Sequence, residues 1–499
     1  MPNPNVSLVD AMLESRNFYD SLNVKSREWM VTTFEQTGDF RKMRKEIKAR
    51  SSLKPTLDDL KESVVMGYID FGEGDRALEL ACGFCDQNPN ANMHNLILRA
   101  LLSSWRYTKQ NFLEESLAWA KQYAQESDRT FLPYHNPRVR VGLVCDYGST
   151  VFGTNALFPM CEGFARAGLD VVYYNFEQNQ MWAENANFKL ENIGTLSVSD
   201  LSRKIMQDRI DVLVDLNGRL RGSHRLGVFS SRSAPIQFNY FNLAGTSGIK
   251  NFDFVIADET QIPKEDEKYF SERVLRLPCG VNGAYSFDRD VPIELKATDP
   301  DQPFLFASFN AFFKYNTLML QDWALILSKV PNAHLLIKCA EIESDRVVKK
   351  IADNFSRFGV DLSRIRVEGW SSLTRLRQQY STVDLCLDTY PYSGGSSTLN
   401  ALWQGVPVLT LCGEGWRART SASMLKGSGL ETMITLSREE YVEKAIYFAT
   451  HRSELMEIKQ HLAQHVGDNC YFQPQVVYRE LAECFKGAVQ RFSQQHAEA

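Results

Sequence analysis

At 499 residues the chain is too long for one hydrophobic core, and two to four domains are expected. Its 44% hydrophobic and 23% charged residues exclude the disordered and membrane classes, and a formal net charge of −5 argues against nucleic acid as the main ligand. No apolar run reaches the roughly 18 residues needed to span a bilayer, and the opening MPNPNVSLVDAMLESRN lacks the basic and apolar segments of a signal peptide. A cytoplasmic protein with no membrane span and no nucleic-acid partner is expected.

From residue 7 to about 130 the apolar residues return every three or four positions, a helical pattern almost without strand signals. Residues 57–90 carry a partial tetratricopeptide-like signature, with Tyr68, Ala77 and Pro89 around the turn GEGD at 72–75. The following pair over 92–124 is degenerate, so residues 1–130 read as a short helical domain rather than a solenoid. Cys82 and Cys85 have CxxC spacing inside this helical pattern, and the ten cysteines are scattered along the chain, which suits reduced thiols.

At 131–140, FLPYHNPRVR ends the helical pattern. Strand-like runs then alternate with helix-length segments: VRVGLVCDYG (139–148), LDVVYYNF (169–176), DRIDVLVDLNG (208–218), APIQFNYFN (234–242), FDFVIADE (252–259) and RVLRLP (273–278). This alternation predicts a doubly wound parallel α/β domain over 131–290. The linker VPIELKATDPDQP (291–303) leads to a second series, FLFASFN (304–310), AHLLIKCA (333–340), RIRVEGW (364–370), VDLCLDTYP (383–391) and VPVLTL (406–411), giving a domain over 291–435. Strands stop after about residue 431, and helices fill 436–499. Two Rossmann-like domains in tandem predict a ligand cleft at the carboxyl ends of their strands.

Two stretches carry chemistry. In YPYSGGSSTLNALWQGVPVLTL (390–411), Gly394, Gly395, Ser396 and Ser397 stand between a strand and a helix. Backbone N–H groups at such a helix start, with glycines permitting close approach, form an anion site; the hydroxyls can add donors, and Asn400 can reach a ribose. An ordinary capped strand-to-helix turn would give the same pattern. In SFNAFFK (308–314), Asn310 and Lys314 follow a strand directly and lie at the sheet's carboxyl edge, where a lysine can neutralise a leaving diphosphate. Arg417 and Arg419 are candidates to face phosphates from the next loop, and His135 and His224 to line the cleft. Short acidic pairs such as Asp288 and Asp290 do not make a metal site, and no metal or cofactor is expected.

Four blocks in order, VDLNGRLRGSHRLGVFSSRSAPIQFNYFNLAGTSG, FDFVIADETQIPKEDEKYFSERVLRLP, SFNAFFKYNTLMLQDWALILSKVPNAHLLI and YPYSGGSSTLNALWQGVPVLTLCGEGWRARTSASML, resemble the catalytic region of protein O-GlcNAc transferases and their bacterial relatives, glycosyltransferase family 41. The resemblance covers roughly residues 110–435. It implies a GT-B fold of two Rossmann-like domains between an N-terminal helical domain and C-terminal helices. It also implies metal-independent, inverting transfer from a nucleotide sugar, typically UDP-GlcNAc, to Ser or Thr of a protein, with flagellin or an adhesin as acceptor by analogy with bacterial relatives. Lys314 matches a lysine on the donor diphosphate and Asn310 its polar neighbour. Ser396 and Ser397 match a hydroxyl pair on the diphosphate, Asn400 an acid that holds the ribose, and Asp146 an aspartate proposed to help remove the acceptor proton.

The chain also departs from the family pattern. STVFGTN (149–155) lacks the usual histidine, Ser116 stands in the acid-His-x-x-Trp helix of 115–119, Gly395 replaces another histidine, and Leu373 and Leu376 replace a ribose-contacting lysine and a base-stacking histidine. Three alternatives follow: another donor sugar, an Asn acceptor, or a binding homologue that has lost catalysis.

Overall fold

The computed structural model describes residues 22–50, 54–145, 156–175, 186–194, 196–218, 226–240, 244–278, 293, 295–296, 301–369 and 371–497. Among the described residues five helices come first: α1 (Val24–Thr37), α2 (Phe40–Arg50), α3 (Leu57–Asp70), α4 (Gly74–Gln87) and α5 (Ala91–Ser103). Three of them start where short polar residues hold the free N–H groups of a first turn. Asn23 caps α1, Asn90 caps α5, and Thr56 with Asp59 forms a reciprocal capping box on α3. The turn between α3 and α4 follows the expected repeat, with Tyr68 and Ala77 buried in the interface. Gly72 is required there: its φ is +70°, and a Cβ would stand 2.0 Å from the Tyr315 carbonyl oxygen.

After α6 (Lys109–Tyr123), the first α/β series runs β1 (Arg140–Cys145), α7 (Phe158–Arg166), β2 (Asp170–Asn175), β3 (Lys189–Asn192), α8 (Val198–Gln207), β4 (Val212–Asp215), α9 (Leu226–Ser230), β5 (Ile236–Asn239), β6 (Phe254–Ala257) and β7 (Arg273–Arg276). The sheet order is β3-β2-β1-β4-β5-β6-β7 and its pairings are parallel. All six expected strands are present. The extra one, β3, reads KLEN and is half exposed at the sheet edge, so it carries no apolar run to announce it.

The second series runs β8 (Phe304–Ser308), α10 (Thr317–Lys329), β9 (Ala333–Lys338), α11 (Asp345–Ser356), β10 (Ile365–Glu368), α12 (Leu373–Tyr380), β11 (Leu385–Leu387), α13 (Ser396–Trp403), β12 (Val408–Leu411), α14 (Thr420–Gly427) and β13 (Ile434–Thr435). The sheet order is β10-β9-β8-β11-β12-β13. Strands β8 and β9, β9 and β10, and β8 and β11 pair in parallel. The two-residue β13 lies just beyond the point where strands were expected to stop. Helices α15 (Arg438–Thr450), α16 (Arg452–His465) and α17 (Pro474–Ala497) follow. Cys470 is disulfide-bonded, so the expectation of reduced thiols fails at this position; Cys82 and Cys85, on α4, are not disulfide-bonded.

The chain forms two compact units, each assembled from three separate segments. One contains residues up to Tyr107, Ala297–Tyr392 and Thr435–Leu455. The other contains Thr108–Lys296, Ser393–Ile434 and Met456–Ala499. In the first, α1 to α5 do not stand as a domain of their own but pack with the β8 to β11 region, because so few repeats cannot bury their apolar faces alone. In the second, α17 packs on α7: a Cβ at Gly163 would touch the Tyr478 ring at 2.1 Å, and Phe485 meets Phe164 and Phe238 edge-on at 5.7 and 5.0 Å.

Candidate active site

In the first unit the carboxyl end of β8 runs through Ser308 and Asn310 into a tight turn at Phe312–Lys314. This turn puts Lys314 four residues beyond Asn310, with Nζ 3.4 Å from Asn310 Oδ1. Asn310 is buried, and its amide stands 3.5 Å from Ser308 Oγ. The Lys314 ammonium also lies 4.9 Å above the Tyr392 ring and 5.8 Å from that of Phe313, an aromatic bed that favours a cation. Burial lowers the Lys314 pKa to about 8, while the charge of Asp388 at the end of β11 opposes that shift.

Tyr392 is itself held. Thr389 Oγ1 donates to the Tyr392 carbonyl at 2.8 Å, and Tyr390 places its hydroxyl 2.5 Å from Asp322 Oδ2. Arg438 grips the same Asp322 carboxylate with Nε at 2.7 Å and Nη2 at 2.8 Å. Tyr441 donates to the Asp388 carbonyl at 2.9 Å and accepts from the Trp323 indole at 3.2 Å. The β11 end is therefore fixed by side chains from α10 and α15.

In the second unit, Ser393 and Gly394 lead into α13. Ser393 donates through N and Oγ to the Arg417 carbonyl at 2.9 and 3.0 Å. Ser421 Oγ donates to the Gly394 carbonyl at 3.1 Å and shares a hydrogen bond of 2.8 Å with Thr398 Oγ1. The loop is thus pinned from one side, leaving Ser396 exposed. Unlike α1, α3 and α5, α13 has no side-chain cap: its N-cap is Gly395, where a Cβ would meet nothing within 4 Å. An uncapped helix start with open space beside it suits an anion, because first-turn N–H groups and the helix dipole both favour negative charge. Asn400 turns its amide back and donates to the Ser396 carbonyl at 2.8 Å, bracing the turn.

Arg419, the other expected phosphate ligand, is engaged within its own unit. Its Nη1 pairs with Asp266 Oδ2 at 2.7 Å and its Nε donates to the Gly413 carbonyl at 3.2 Å, while Lys109 pairs with the other Asp266 oxygen at 2.6 Å. Ser116 is fully buried and donates to the Thr246 carbonyl at 3.3 Å, so this position serves packing. His135 is exposed, with a φ of +52°. Asp146 and His224 lie outside the described residues. The sequence reading did not select Tyr392, Asp388 or the Asp322 and Arg438 pair; the only hint of them was the tyrosine-rich approach to the Gly-Ser loop.

A profile for glycosyl transferase family 41 matches residues 174–281 and 292–481, more than half of the chain. The chain belongs to glycosyl transferase family 41. Lys314 and the 394–400 loop fall within the matched family 41 residues, whereas Asp146 and His135 precede them. A probable UDP-N-acetylglucosamine–peptide N-acetylglucosaminyltransferase SPINDLY of Solanum lycopersicum is 30% identical over 266 residues, covering 53% of this chain and 28% of that protein. The Arabidopsis thaliana protein named SEC, with the same probable activity, is 28% identical over 343 residues, covering 65% and 34%. The family 41 chain therefore spans about a third or less of the length of these relatives. The fold of a mutant O-GlcNAc transferase from Thermobaculum terrenum superposes with a TM-score of 0.81 at 22% identity, covering 99% of this chain and 100% of that one. The two Rossmann-like sheets with an N-terminal helical repeat region thus have the GT-B architecture expected from the sequence.

Proposed function

We propose that this family 41 chain is an inverting, metal-independent protein glycosyltransferase that moves GlcNAc from UDP-GlcNAc to Ser or Thr of a protein acceptor. The observation that carries this reading is Lys314, a cation held at the carboxyl end of β8 by Asn310 and the Tyr392 ring. The acceptor hydroxyl attacks the anomeric carbon, the bond from that carbon to the diphosphate oxygen breaks, and negative charge gathers on the departing diphosphate. A preorganised ammonium there contributes about 2–4 kcal/mol to the barrier reduction. The uncapped start of α13 offers N–H groups of the kind that bind phosphate oxygens. Asp146 is proposed, from the sequence, to assist proton removal. The donor and acceptor classes rest on the names of the relatives.

A second reading keeps the transfer but changes the sugar or nucleotide. It is favoured by the open space at Gly395 and by Leu376, at two of the four positions where histidines were expected. Transfer and donor hydrolysis assayed across UDP- and GDP-sugars, with intact-mass analysis of a co-expressed acceptor, test both. A mass increment of one N-acetylhexosamine supports the first reading, another increment supports the second, and no turnover with any donor sinks both.

A further inference from the structure

The turn that carries Lys314 is held by a second lysine. Lys350, on α11 of the first unit, donates from Nζ to three backbone carbonyls: Phe71 at 3.0 Å, Gly72 at 2.8 Å and Tyr315 at 3.2 Å. An ammonium has three N–H donors, and all three are used. Two of these carbonyls belong to the turn between α3 and α4, and the third is one peptide beyond Lys314. The Phe312 and Tyr315 rings, stacked at 5.1 Å and fully buried, lock the other side of the 312–315 turn, and the ammonium stands 5.6 Å from the Phe312 ring. Gly72 leaves no space between the turns.

The neighbouring contacts run the same way. Arg346, one helical turn before Lys350, donates from Nε to Glu73 at 2.8 Å, pairs with both oxygens of Glu35 at 3.0 and 2.8 Å, and donates its backbone N–H to Glu28 Oε1 at 2.8 Å. These bonds attach the face of α11 that holds Lys350 to the helical repeat. Burial pulls the Lys350 pKa down to about 8, with Glu73 opposing the shift and Arg346 adding to it. The three acceptors lie on two separate turns, so one buried charge ties the two together. Their effect is to make the position of the Lys314 turn depend on the α3–α4 hairpin.

We propose that Lys350 is a positioning residue for donor binding, its ammonium tying the carbonyls of Phe71, Gly72 and Tyr315 together so that Lys314 is presented at the height the diphosphate requires. The inference rests on the reading of Lys314 as the diphosphate ligand and adds a link from the helical repeat to it. By this link, anything that shifts the α3–α4 turn shifts the donor lysine.

The test is a double-mutant cycle read by calorimetric titration with UDP, or with GDP if the wild-type chain binds that instead. Lys350→Met is expected to weaken nucleoside diphosphate binding roughly tenfold, a loss typical of small misplacements of a charged group. In a Lys314→Ala background the same substitution is expected to change binding by less than about twofold, because the residue it positions is gone. Equal losses in both backgrounds, or unchanged affinity in Lys350→Met, overturn the proposal and leave Lys350 a purely structural residue. If the methionine variant does not fold by circular dichroism, Lys350→Gln, whose uncharged amide keeps two N–H donors, enters the same cycle with the same criteria. Failure of the wild-type chain to bind either diphosphate, or an unchanged affinity in Lys314→Ala, rejects the underlying reading and the inference with it; a sensitive Lys314 with an additive Lys350 rejects the inference alone.

Discussion

The Lys314 ammonium lies 4.9 Å above the ring of Tyr392, and in the chain Tyr392 stands two residues before Gly394. The residue that beds the cation is thus covalently tied to the loop whose helix start suits an anion. Lys314→Ala is expected to reduce transfer at least a hundredfold, consistent with the loss of one preorganised charge donor. Its circular dichroism and melting profile should stay close to wild type. Wild-type turnover in this variant rules out the assignment.

The lowered pKa of Lys314 gives a pH dependence of definite sign. Its folded value, about 8, lies below its ordinary value of 10.5, so between these pH values the unfolded chain holds more protons and folding stability rises with pH. Diphosphate binding pulls in the other direction: it favours the ammonium, takes up a proton, and is strongest below about pH 8. Lys350 titrates in the same range, so affinity for UDP should fall steeply above pH 8. Lys314→Arg, which does not titrate there, should flatten part of that fall. Affinity independent of pH between 7 and 10 contradicts the environment described for Lys314.

Asp322 is expected to be the most sensitive position in the support of β11. Its carboxylate accepts from Tyr390 and is gripped twice by Arg438, and its side chain is only 10% exposed. Asp322→Ala leaves a buried phenol without its acceptor and an arginine without its partner, which costs about 2–3 kcal/mol. Chemical denaturation measures it. Adding Tyr390→Phe to that variant should recover part of the loss, since the orphaned hydroxyl is removed.

Arg419 offers a contrast with Lys314. Because it shares Asp266 with Lys109, Arg419→Met is expected to lower stability by about 1–2 kcal/mol while changing UDP affinity less than threefold. Asp266→Asn should cost stability as well, leaving two cations side by side. A tenfold loss of UDP affinity in Arg419→Met would return this arginine to the donor site.

The sequence was most informative where chemistry and periodicity coincide. Strand β8 and the SFNAFFK turn were legible because an apolar run rich in phenylalanine ends in polar residues at a predictable sheet edge. Tyr390, Asp322 and Arg438 were not: 68 and 116 residues separate Asp322 from its two partners, and no local pattern announces a contact across that distance. In DRVVKKIADNFS, Lys349 and Lys350 look equivalent, yet the first makes an exposed i,i+4 pair with Asp353 while the second reaches three carbonyls. Amphipathic spacing places a helix face to within a residue or so, which is too coarse to distinguish adjacent lysines. Arg419 illustrates the reverse error of proximity: it sits beside the loop in sequence, but its guanidinium is directed to an aspartate 153 residues away.

The first unit is closed by pairs such as Glu35 and Arg346, which are 311 residues apart in sequence. During synthesis the helical repeat must therefore wait, with its partner faces uncovered, until most of the chain has emerged. Cutting the chain at the apparent boundary near residue 130 would leave helices without the surface they cover. Grafting a different repeat onto the remainder would likewise have to reproduce the bonds from Lys350 and Arg346.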